Sequence, residues 1–312
     1  MGDFAIIIPY FNPAGYRSHQ DKFSRCFSAL EAAGIAQDVY LAVAGPQKPE
    51  GGAKVTFWDP EFSFMWHKER LINLATATLP DRYSHVVWLD SDVIVDARWA
   101  YSVREAFTRS KIIQSFRTAR KIGSDGHIKQ ARLGVLVADG AKSGSVGLAW
   151  GACRSLFTDG PGLFDLGLVG SGDSVFAHGM IGNDICTAPW LSNLRERLAQ
   201  SWSPALQSAM HDWLVEASRW KGGSVAVAAD SDIHVVEHGV TENRKYSQRH
   251  SLLGSLDPQK HLIIEQGRVF RWTPAGLASV EGGIRSYFYG RREDEPSGRW
   301  ESALPVAAGA AP

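Results

Sequence analysis

The sequence predicts an α/β protein in which helices flank a mixed sheet, and two features of its first hundred residues carry this prediction. Runs rich in β-branched and aromatic residues alternate with stretches of helical spacing. The strand-like runs are also almost continuously apolar, which is typical of strands buried on both faces of a sheet. With 312 residues, 44% of them hydrophobic, the chain is long enough to form a large core.

The predicted elements follow one another in a regular order. Strands are expected at residues 4–11, 38–45, 54–59 and 84–95. Helices are expected between them, at 20–34 and 67–79. Later in the chain, the pattern predicts a helical region at 191–221, a strand at 224–239 and a hairpin at 263–272 that turns at Gln266 and Gly267.

Charge and cysteine content narrow the classes of partner and compartment. Lys+Arg and Asp+Glu both number 33, so a polyanionic partner would have to use a local patch. The three cysteines are far apart and form no CxxC pair, which indicates reduced thiols. The first apolar run is too short for a signal or membrane segment, so we expect a cytoplasmic protein without a transmembrane segment.

Two aspartates interrupt an otherwise apolar run, VVWLDSDVIV at residues 86–95. Asp90 and Asp92 would repel each other and lose hydration there unless a cation neutralised them. Mn²⁺ and Mg²⁺ prefer carboxylate oxygens and bridge them to the diphosphate of a nucleotide. The pattern therefore predicts a metal site, with a turn or capping pair as the alternative. The segments from Pro9 to Asn12 and from Asp90 to Asp92 both lie at the carboxyl end of a predicted strand, where α/β sheets bind ligands.

Taken in order, these motifs resemble those of the GT-A glycosyltransferases. The strand IIIPYFN, the helix KERLINLA, the strand WLDSD and a downstream Gly-rich acidic loop carry the resemblance, which runs from Phe4 to about Arg249. It implies a fold that binds nucleoside diphosphate sugars and a DxD site for Mn²⁺ or Mg²⁺. The expected reaction is transfer of a hexose from a donor, expected to be a UDP-sugar, to an acceptor hydroxyl with inversion.

The resemblance also implies where the nucleotide lies. The loop from Pro9 through Tyr10 to Asn12 would cradle the nucleoside. Asp90 would approach the ribose or the metal, and Asp92 would bind the metal. The helix residues Lys68, Arg70 and Asn73 would lie near the nucleotide, and an ordinary amphipathic helix is the alternative for these three.

The general base implied by the resemblance is Asp173, in the Gly-rich stretch GSGDSVF. Inverting GT-A enzymes commonly keep an acidic residue on such a loop, where it removes the proton of the acceptor hydroxyl. The alternative is that Asp173 caps a helix. Asp165 is the second candidate for the base, and Trp150 is expected either in a wall of the sugar pocket or in the core.

A histidine and a basic stretch complete the expected site. His238 ends a strand before Gly239 and resembles the late metal-binding histidine of several GT-A enzymes, whereas His234 is expected to be structural. A set of basic and aromatic residues follows at near-helical spacing and suits a diphosphate leaving group: Arg244, Lys245, Tyr246 and Arg249. A solvated basic helix face is the alternative for this set.

The acceptor is less determined than the donor. Residues 98–132 contain nine Lys or Arg and two acids, which suits either a phosphorylated acceptor or a solvated helix. The overall pattern is similar to bacterial and phage-encoded glycosyltransferases, so the cell is expected to be bacterial or phage-infected. Their acceptors range from glycans and lipid-linked sugars to hydroxymethylated bases of phage DNA. The sequence does not distinguish between these acceptors, and it does not indicate an oligomeric state.

Two other functions compete with glycosyl transfer. A sugar nucleotidyltransferase has a related fold, but PYFNPAGYR fits poorly to the Gly-rich, Arg-containing signature expected after its first strand. A non-catalytic nucleotide-sugar-binding protein would bind the nucleotide without turnover. A dinucleotide-dependent dehydrogenase is disfavoured, because no GxGxxG follows the first strand.

The resemblance divides the chain into a main domain and an extension. Residues 1–253 are predicted to form the GT-A domain, and residues 254–300 to form a C-terminal extension packed on it. The small apolar residues of 301–312 are predicted to be a disordered tail.

Overall fold

The computed structural model describes residues 3–295, except for residues 124, 139–143, 182–195, 197 and 238. The strands of this part are β1 (Asp3–Phe11), β2 (Val39–Ala44), β3 (Lys54–Asp59), β4 (Tyr83–Leu89), β5 (Val93–Ile94), β6 (Ile112–Gln114), β7 (Thr118–Ile122), β8 (Ile128–Leu133), β9 (Ala149–Cys153), β10 (Val227–Ala228), β11 (Asp232–Val236), β12 (Leu262–Ile263) and β13 (Arg271–Trp272).

The main helices are α1 (Arg17–Ala32), α2 (Lys68–Thr76), α3 (Trp99–Arg109), α4 (Gly172–Ile181), α5 (Pro204–Lys221) and α6 (Gly282–Gly290). Short helical turns lie at Ala36–Asp38, Ser155–Thr158, Thr241–Arg244, Arg249–Leu253, Pro258–His261, Pro274–Gly276 and Leu277–Glu281. None of the helices in the described ranges combines the length and the apolar character needed to cross a membrane.

A seven-stranded sheet in the order β10-β6-β9-β4-β1-β2-β3 forms the centre of the molecule. Strand β1 pairs in parallel with β2 and β4, whereas β9 runs antiparallel between β4 and β6. Helices cover both faces, so the predicted mixed α/β sheet flanked by helices is confirmed.

The apolar run of β1 serves both faces of this sheet. Ile6 and Ile8 pack in a cluster with α1 and α3, and Ile7 packs in a second cluster with α2, α4 and α5. All three side chains are fully buried. Because side chains alternate along a strand, burial on both faces requires the uninterrupted apolar run seen in the sequence.

Two of the predicted strands are each divided by a turn. The run 84–95 becomes β4 and β5, with Asp90 to Asp92 in a turn where the Val93 N–H donates to the Asp90 carbonyl (3.1 Å). The run 224–239 likewise becomes β10 and β11. Strands β5 and β11 join β7 and β8 in a second, four-stranded sheet. These turns let the chain leave the central sheet at the edge where β4 ends.

The helical prediction for 191–221 is met by α5 over the last part of that range, and residues 191–195 lie outside the described residues. Ser203 caps α5 by accepting from the Leu206 N–H (3.1 Å), and Pro204 stands in the first turn. The predicted hairpin is confirmed, since β12 pairs antiparallel with β13 and Gly267 has φ +72°.

The C-terminal segment packs on the rest of the molecule. Trp272 and Phe288 belong to the same apolar cluster as α2 and α5. The Asp294 carboxylate accepts from the N–H groups of Arg17 (3.0 Å) and Ser18 (2.8 Å), which open α1. A residue from the end of the described chain therefore caps the first helix. The predicted tail at 301–312 lies outside the described residues.

Glycine at position 151 offers a test of packing in the central sheet. An added Cβ would lie 2.8 Å from Phe107 and 3.0 Å from Val87, inside a close-packed layer. We expect Gly151→Ala to lower the free energy of unfolding by about 1–3 kcal/mol, measured by urea denaturation. The control is Gly282→Ala in α6, where nothing lies within 4 Å and we expect no loss. Equal effects at the two positions would contradict this account of the sheet.

Candidate active site

A cavity of about 460 Å³ opens at the carboxyl ends of β1 and β4. The last residues of β1 and the loop after it contribute Pro9 and Asn12 to its wall, and the turn after β4 contributes Asp90 and Asp92. Residues of α2, of the turn before α4, of the second sheet and of the C-terminal segment complete the wall. This is the edge at which the sequence predicts a ligand, because polar residues follow the strands there.

One part of the cavity is built around a buried ammonium group. Lys68 opens α2 with 3% of its side chain exposed, and its Nζ lies 2.6 Å from Asp90 Oδ1 and 2.7 Å from Asp173 Oδ2. Burial alone lowers the pKa of Lys68, but the carboxylates of Asp173 and Asp90 outweigh burial and raise the pKa above its usual value. Lys68 therefore stays cationic and joins the turn after β4 to the first turn of α4.

The carboxyl groups near the Lys68 ammonium differ in pKa. Burial raises the pKa of Asp90 to about 6; Lys68 opposes the rise, and Asp173 and Asp92 add to it. Burial raises the pKa of Glu69 to about 8 against the opposing effect of Lys68. One ammonium cannot neutralise all of these carboxylates in a low-dielectric site, so Glu69 holds a proton at neutral pH.

Glu69 is a site residue that the sequence analysis missed. Its side chain is buried, and its Oε1 atom has no hydrogen-bond partner in the described part of the chain. The carboxyl packs against Gly172 so closely that a Cβ there would overlap it. The glycine before Asp173 thus serves close packing between α2 and α4.

A second part of the cavity is rich in positive charge; we call it the cationic half, formed by His19, Lys22, Arg244, Arg249 and Arg291 with Glu293 at its centre. The Glu293 side chain is only 2% exposed. Burial alone raises the pKa of Glu293, but Arg291, His19 and Arg244 hold it well below its usual value.

Asp92 faces the cavity beside the cationic half. Burial raises the pKa of Asp92, Lys22 and Arg244 oppose the rise, and Glu293 adds to it. The two aspartates of the predicted DxD pair therefore face different surroundings, since Asp90 contacts Lys68 directly. Tyr246 completes the cationic half with a half-exposed ring whose centroid lies 5.0 Å from the Arg249 guanidinium.

Backbone strain concentrates at this cavity. Among the described residues, four that are not glycine have positive φ: Leu148 (80°), Ser171 (88°), Lys245 (45°) and Arg292 (47°). Leu148 and Ser171 line the cavity, and the other two are the chain neighbours of Arg244 and Arg291. The Leu148 carbonyl accepts from the Asp90 N–H (2.8 Å), which fixes the aspartate turn. Strain of this kind clusters at functional sites, where the surrounding structure holds it.

The described donors do not form a complete metal site. Across the ranges that the structure describes, no three His, Cys, Asp or Glu side chains converge to hold an ion. Asp90 already accepts from Lys68, and the predicted ligand His238 lies outside the described residues.

Four residues predicted to lie near the nucleotide are placed outside the cavity wall. Tyr10 is buried against Phe23, with ring centroids 5.8 Å apart. Arg70 donates to the carbonyl of Arg268 (2.9 Å). Asn73 donates to the carbonyl of Leu163 (2.9 Å), and Lys245 is exposed to solvent. The structure thus gives Arg70 and Asn73 contacts that fasten α2 to neighbouring loops.

The other candidates from the sequence are also located. Asp165 contacts Arg70 (3.5 Å) and Asn73 (3.4 Å) and is not part of the cavity wall. Trp150 lies in the core, with its indole N–H donating to the Val146 carbonyl (2.6 Å). His234 lies in β11, paired with Ile94 of β5.

Among the described residues, ion pairs engage four of the nine basic residues of the stretch 98–132, three of them with acids from elsewhere in the chain. It forms α3 and three strands rather than one helix. Ion pairs join Arg117 to Asp230, Arg120 to Asp232, Lys121 to Glu237 and Lys129 to Asp125. Lys121 and Arg132 line the cavity. The stretch therefore presents a smaller positive excess than the sequence alone indicates.

No protein-family model and no curated protein sequence matches the chain. Solved structures with a similar fold include residues 1–349 of S. aureus TarS in complex with UDP-GlcNAc, at 10% identity and a TM-score of 0.39, over 82% of this chain and 69% of that fragment. Another is a mutant of Drosophila β1,4-galactosyltransferase 7 with manganese, UDP-Gal and xylobiose, at 14% identity and a TM-score of 0.34, over 56% of this chain.

A third similar structure is 4-diphosphocytidyl-2C-methyl-D-erythritol synthase of Anaerococcus prevotii, at 7% identity and a TM-score of 0.38, over 79% of this chain and 97% of the synthase. The match to galactosyltransferase 7 spans 59% of that chain. Similarity at this level concerns the arrangement of strands and helices and gives no information about function.

The buried carboxyl of Glu69 predicts a pH-dependent stability. Its pKa is about 8 in the folded protein and 4.5 when exposed, so unfolding between these values releases a proton. Stability should therefore fall as the pH rises from about 5 to 8, by at most about 1.4 kcal/mol per pH unit. We expect Glu69→Gln to flatten this dependence in urea denaturation, and the exposed Glu31→Gln to leave it unchanged. An equal slope in wild type and Glu69→Gln would contradict the prediction.

Proposed function

We propose that the protein is a GT-A glycosyltransferase that moves a hexose from a UDP-sugar to an acceptor hydroxyl with inversion. The observation that carries this proposal is the division of one cavity. A carboxylate held by a buried ammonium, Asp173 with Lys68, faces the same space as the cationic half, which suits a diphosphate. A base and a site for an anionic leaving group are the two parts that the reaction needs.

In the proposed reaction, Asp173 accepts the proton of the acceptor hydroxyl while the hydroxyl oxygen attacks the anomeric carbon of the donor. The new bond joins this carbon to the acceptor oxygen. The bond from the carbon to the donor phosphate oxygen breaks, and its electron pair leaves with UDP. Attack from the face opposite the leaving group inverts the anomeric centre.

Lys68 supports the base in two ways. Its ammonium lies 2.7 Å from Asp173 Oδ2 and donates a hydrogen bond to this carboxylate. Since Lys68 is buried and also contacts Asp90, it fixes the position of Asp173 relative to the turn after β4. Gly147 also packs against this carboxylate, since a Cβ there would lie 3.0 Å from Asp173 Oδ2. The base is therefore held before any substrate binds.

The cationic half would stabilise the negative charge that develops on the departing diphosphate. Arg244, Arg249 and Arg291 carry permanent charge and are largely shielded from water, where electrostatic stabilisation is strongest. No acid is then needed at the leaving group. A divalent cation on Asp92 and His238 remains a prediction, to be tested by omitting Mn²⁺ or Mg²⁺ from the assay.

For the acceptor, we propose the hydroxyl of a glycan or lipid-linked sugar. Ion pairs with acids from outside the basic stretch 98–132 leave it less positive charge than a protein surface that binds duplex DNA is expected to carry. A hydroxymethylated base of phage DNA is the competing acceptor. Stimulation of donor turnover by such DNA, with strong dependence on salt, would favour it over a glycan.

The assay measures UDP released from a panel of UDP-sugars with Mn²⁺, with and without glycan acceptors or hydroxymethylated DNA. We expect release with one donor, and Asp173→Asn to lower kcat at least about 100-fold while UDP still binds. Asp165→Asn is the comparison, since that carboxyl lies outside the cavity and its loss should spare turnover in folded protein.

Three results would contradict the proposal or part of it. UDP binding without turnover of any donor would indicate a nucleotide-sugar-binding protein. Formation of a nucleotide sugar and pyrophosphate from UTP and a sugar 1-phosphate would indicate a nucleotidyltransferase. Full activity of Asp173→Asn would remove Asp173 from the role of base.

A further inference from the structure

Basic side chains from three distant parts of the chain meet at one carboxylate in the cavity. His19 Nε2 lies 2.6 Å and Lys22 Nζ 3.6 Å from Glu293 Oε2. Arg244 lies 3.1 Å from Oε1 of the same carboxylate, and Arg291 also pairs with Oε1. Each oxygen of Glu293 therefore faces two basic groups.

The charges in this cluster do not balance. Lys22, Arg244 and Arg291 bring three positive charges, and Glu293 and Asp92 bring two negative ones. Arg249 adds a further positive charge, and its described contacts are uncharged, namely the hydroxyl of Tyr287 (3.1 Å) and the ring of Tyr246. Buried excess charge is costly unless an anion neutralises it. The cluster therefore suits an anion that carries more charge than one carboxylate.

A carboxylate and a phosphate make the same contacts with a guanidinium group. Both accept paired hydrogen bonds from arginine, and a diphosphate offers more acceptor oxygens and more negative charge than Glu293. Glu293 thus binds the cations of the cluster through the same kind of paired contact as a diphosphate, but with less negative charge. Because it lines the cavity itself, a donor diphosphate that reaches these cations would have to replace it.

The segment that carries Glu293 is held in a strained conformation. Arg292, just before Glu293, has φ +47°, and its N–H donates to the Tyr16 hydroxyl (2.9 Å). Beyond Glu293, Asp294 and Glu295 are exposed, and Asp294 is fixed mainly by its contacts with the start of α1. The buried contacts that oppose release of residues 292–295 are those of Glu293, namely its ion pairs and the bond that its carbonyl accepts from the Ser18 hydroxyl (3.1 Å). Release would relieve the strain at Arg292, and an anion that takes over the cations would replace the ion pairs.

We infer that the cationic half is a diphosphate site which Glu293 fills in the absence of donor, so that the donor phosphates and residues 292–295 compete for the same cations. The inference rests on the proposed function for the identity of the donor, and it adds regulation of that site by the chain itself. The chemical class that the cluster recognises is a pyrophosphate group, whether free or within a nucleotide.

The direct test uses inorganic pyrophosphate without divalent metal, measured by isothermal titration calorimetry on the full chain. Glu293→Gln keeps the shape of the side chain and removes the competing charge. We expect it to bind pyrophosphate at least about 5-fold more tightly than wild type. Glu295→Gln, an exposed change on the same segment, is the matched control and should bind like wild type. Weaker or unchanged binding by folded Glu293→Gln would overturn the inference.

A second measurement uses wild-type protein and does not depend on the folding of a variant. If pyrophosphate displaces Glu293, amide hydrogens of residues 291–295 should exchange faster when it is bound, because the Arg292 N–H loses its bond to Tyr16. Slower exchange there, with pyrophosphate bound, would show that Glu293 arranges the site and would overturn competition.

The two proposals fail separately. Tighter pyrophosphate binding by Glu293→Gln, together with no turnover of any UDP-sugar, would support the anion site and contradict glycosyl transfer. Turnover of a UDP-sugar with unchanged pyrophosphate binding by Glu293→Gln would support glycosyl transfer and contradict competition by Glu293.

Discussion

The contact of Lys68 with Asp90 and Asp173 is the constraint on which the site depends. It is buried, and it joins three elements that are remote in sequence: the start of α2, the turn after β4 and the first turn of α4. A buried ammonium is stable only with such partners, and the carboxylates are stable in apolar surroundings only with such a cation. The position of Asp173 and the course of the chain after β4 therefore have one common cause.

Around this contact, the cavity separates charge. Negative groups gather at Lys68, and positive groups gather at Glu293, with Asp92 facing the cavity beside them. The protonated Glu69 limits the negative charge on one side, and Glu293 limits the positive charge on the other. A substrate with an uncharged sugar and a charged diphosphate matches this separation, and backbone strain at Leu148 and Ser171 is consistent with a site held in advance of binding.

The sequence predicted the sheet well because β1 and β4 are buried on both faces, and such burial leaves a continuous apolar run. It placed Asp90 at a strand end for the same reason. It could not show Glu293 in the site, because the pair with His19 spans 274 positions and the surrounding run GRREDE resembles a solvated surface. Nor could it show the contacts of Arg70, since its neighbours Glu265 and Arg268 belong to the C-terminal hairpin, which is remote in sequence.

The cap that Asp294 places on α1 has a consequence for how the protein is made. A ribosome produces α1 early and Asp294 more than 270 positions later, as the separation of 276 from Ser18 shows. Until then, the first N–H groups of α1 and the basic side chains nearby lack their acidic partners. The cavity is therefore completed after the central sheet, and a nascent chain that has already formed this sheet still lacks part of the cavity wall.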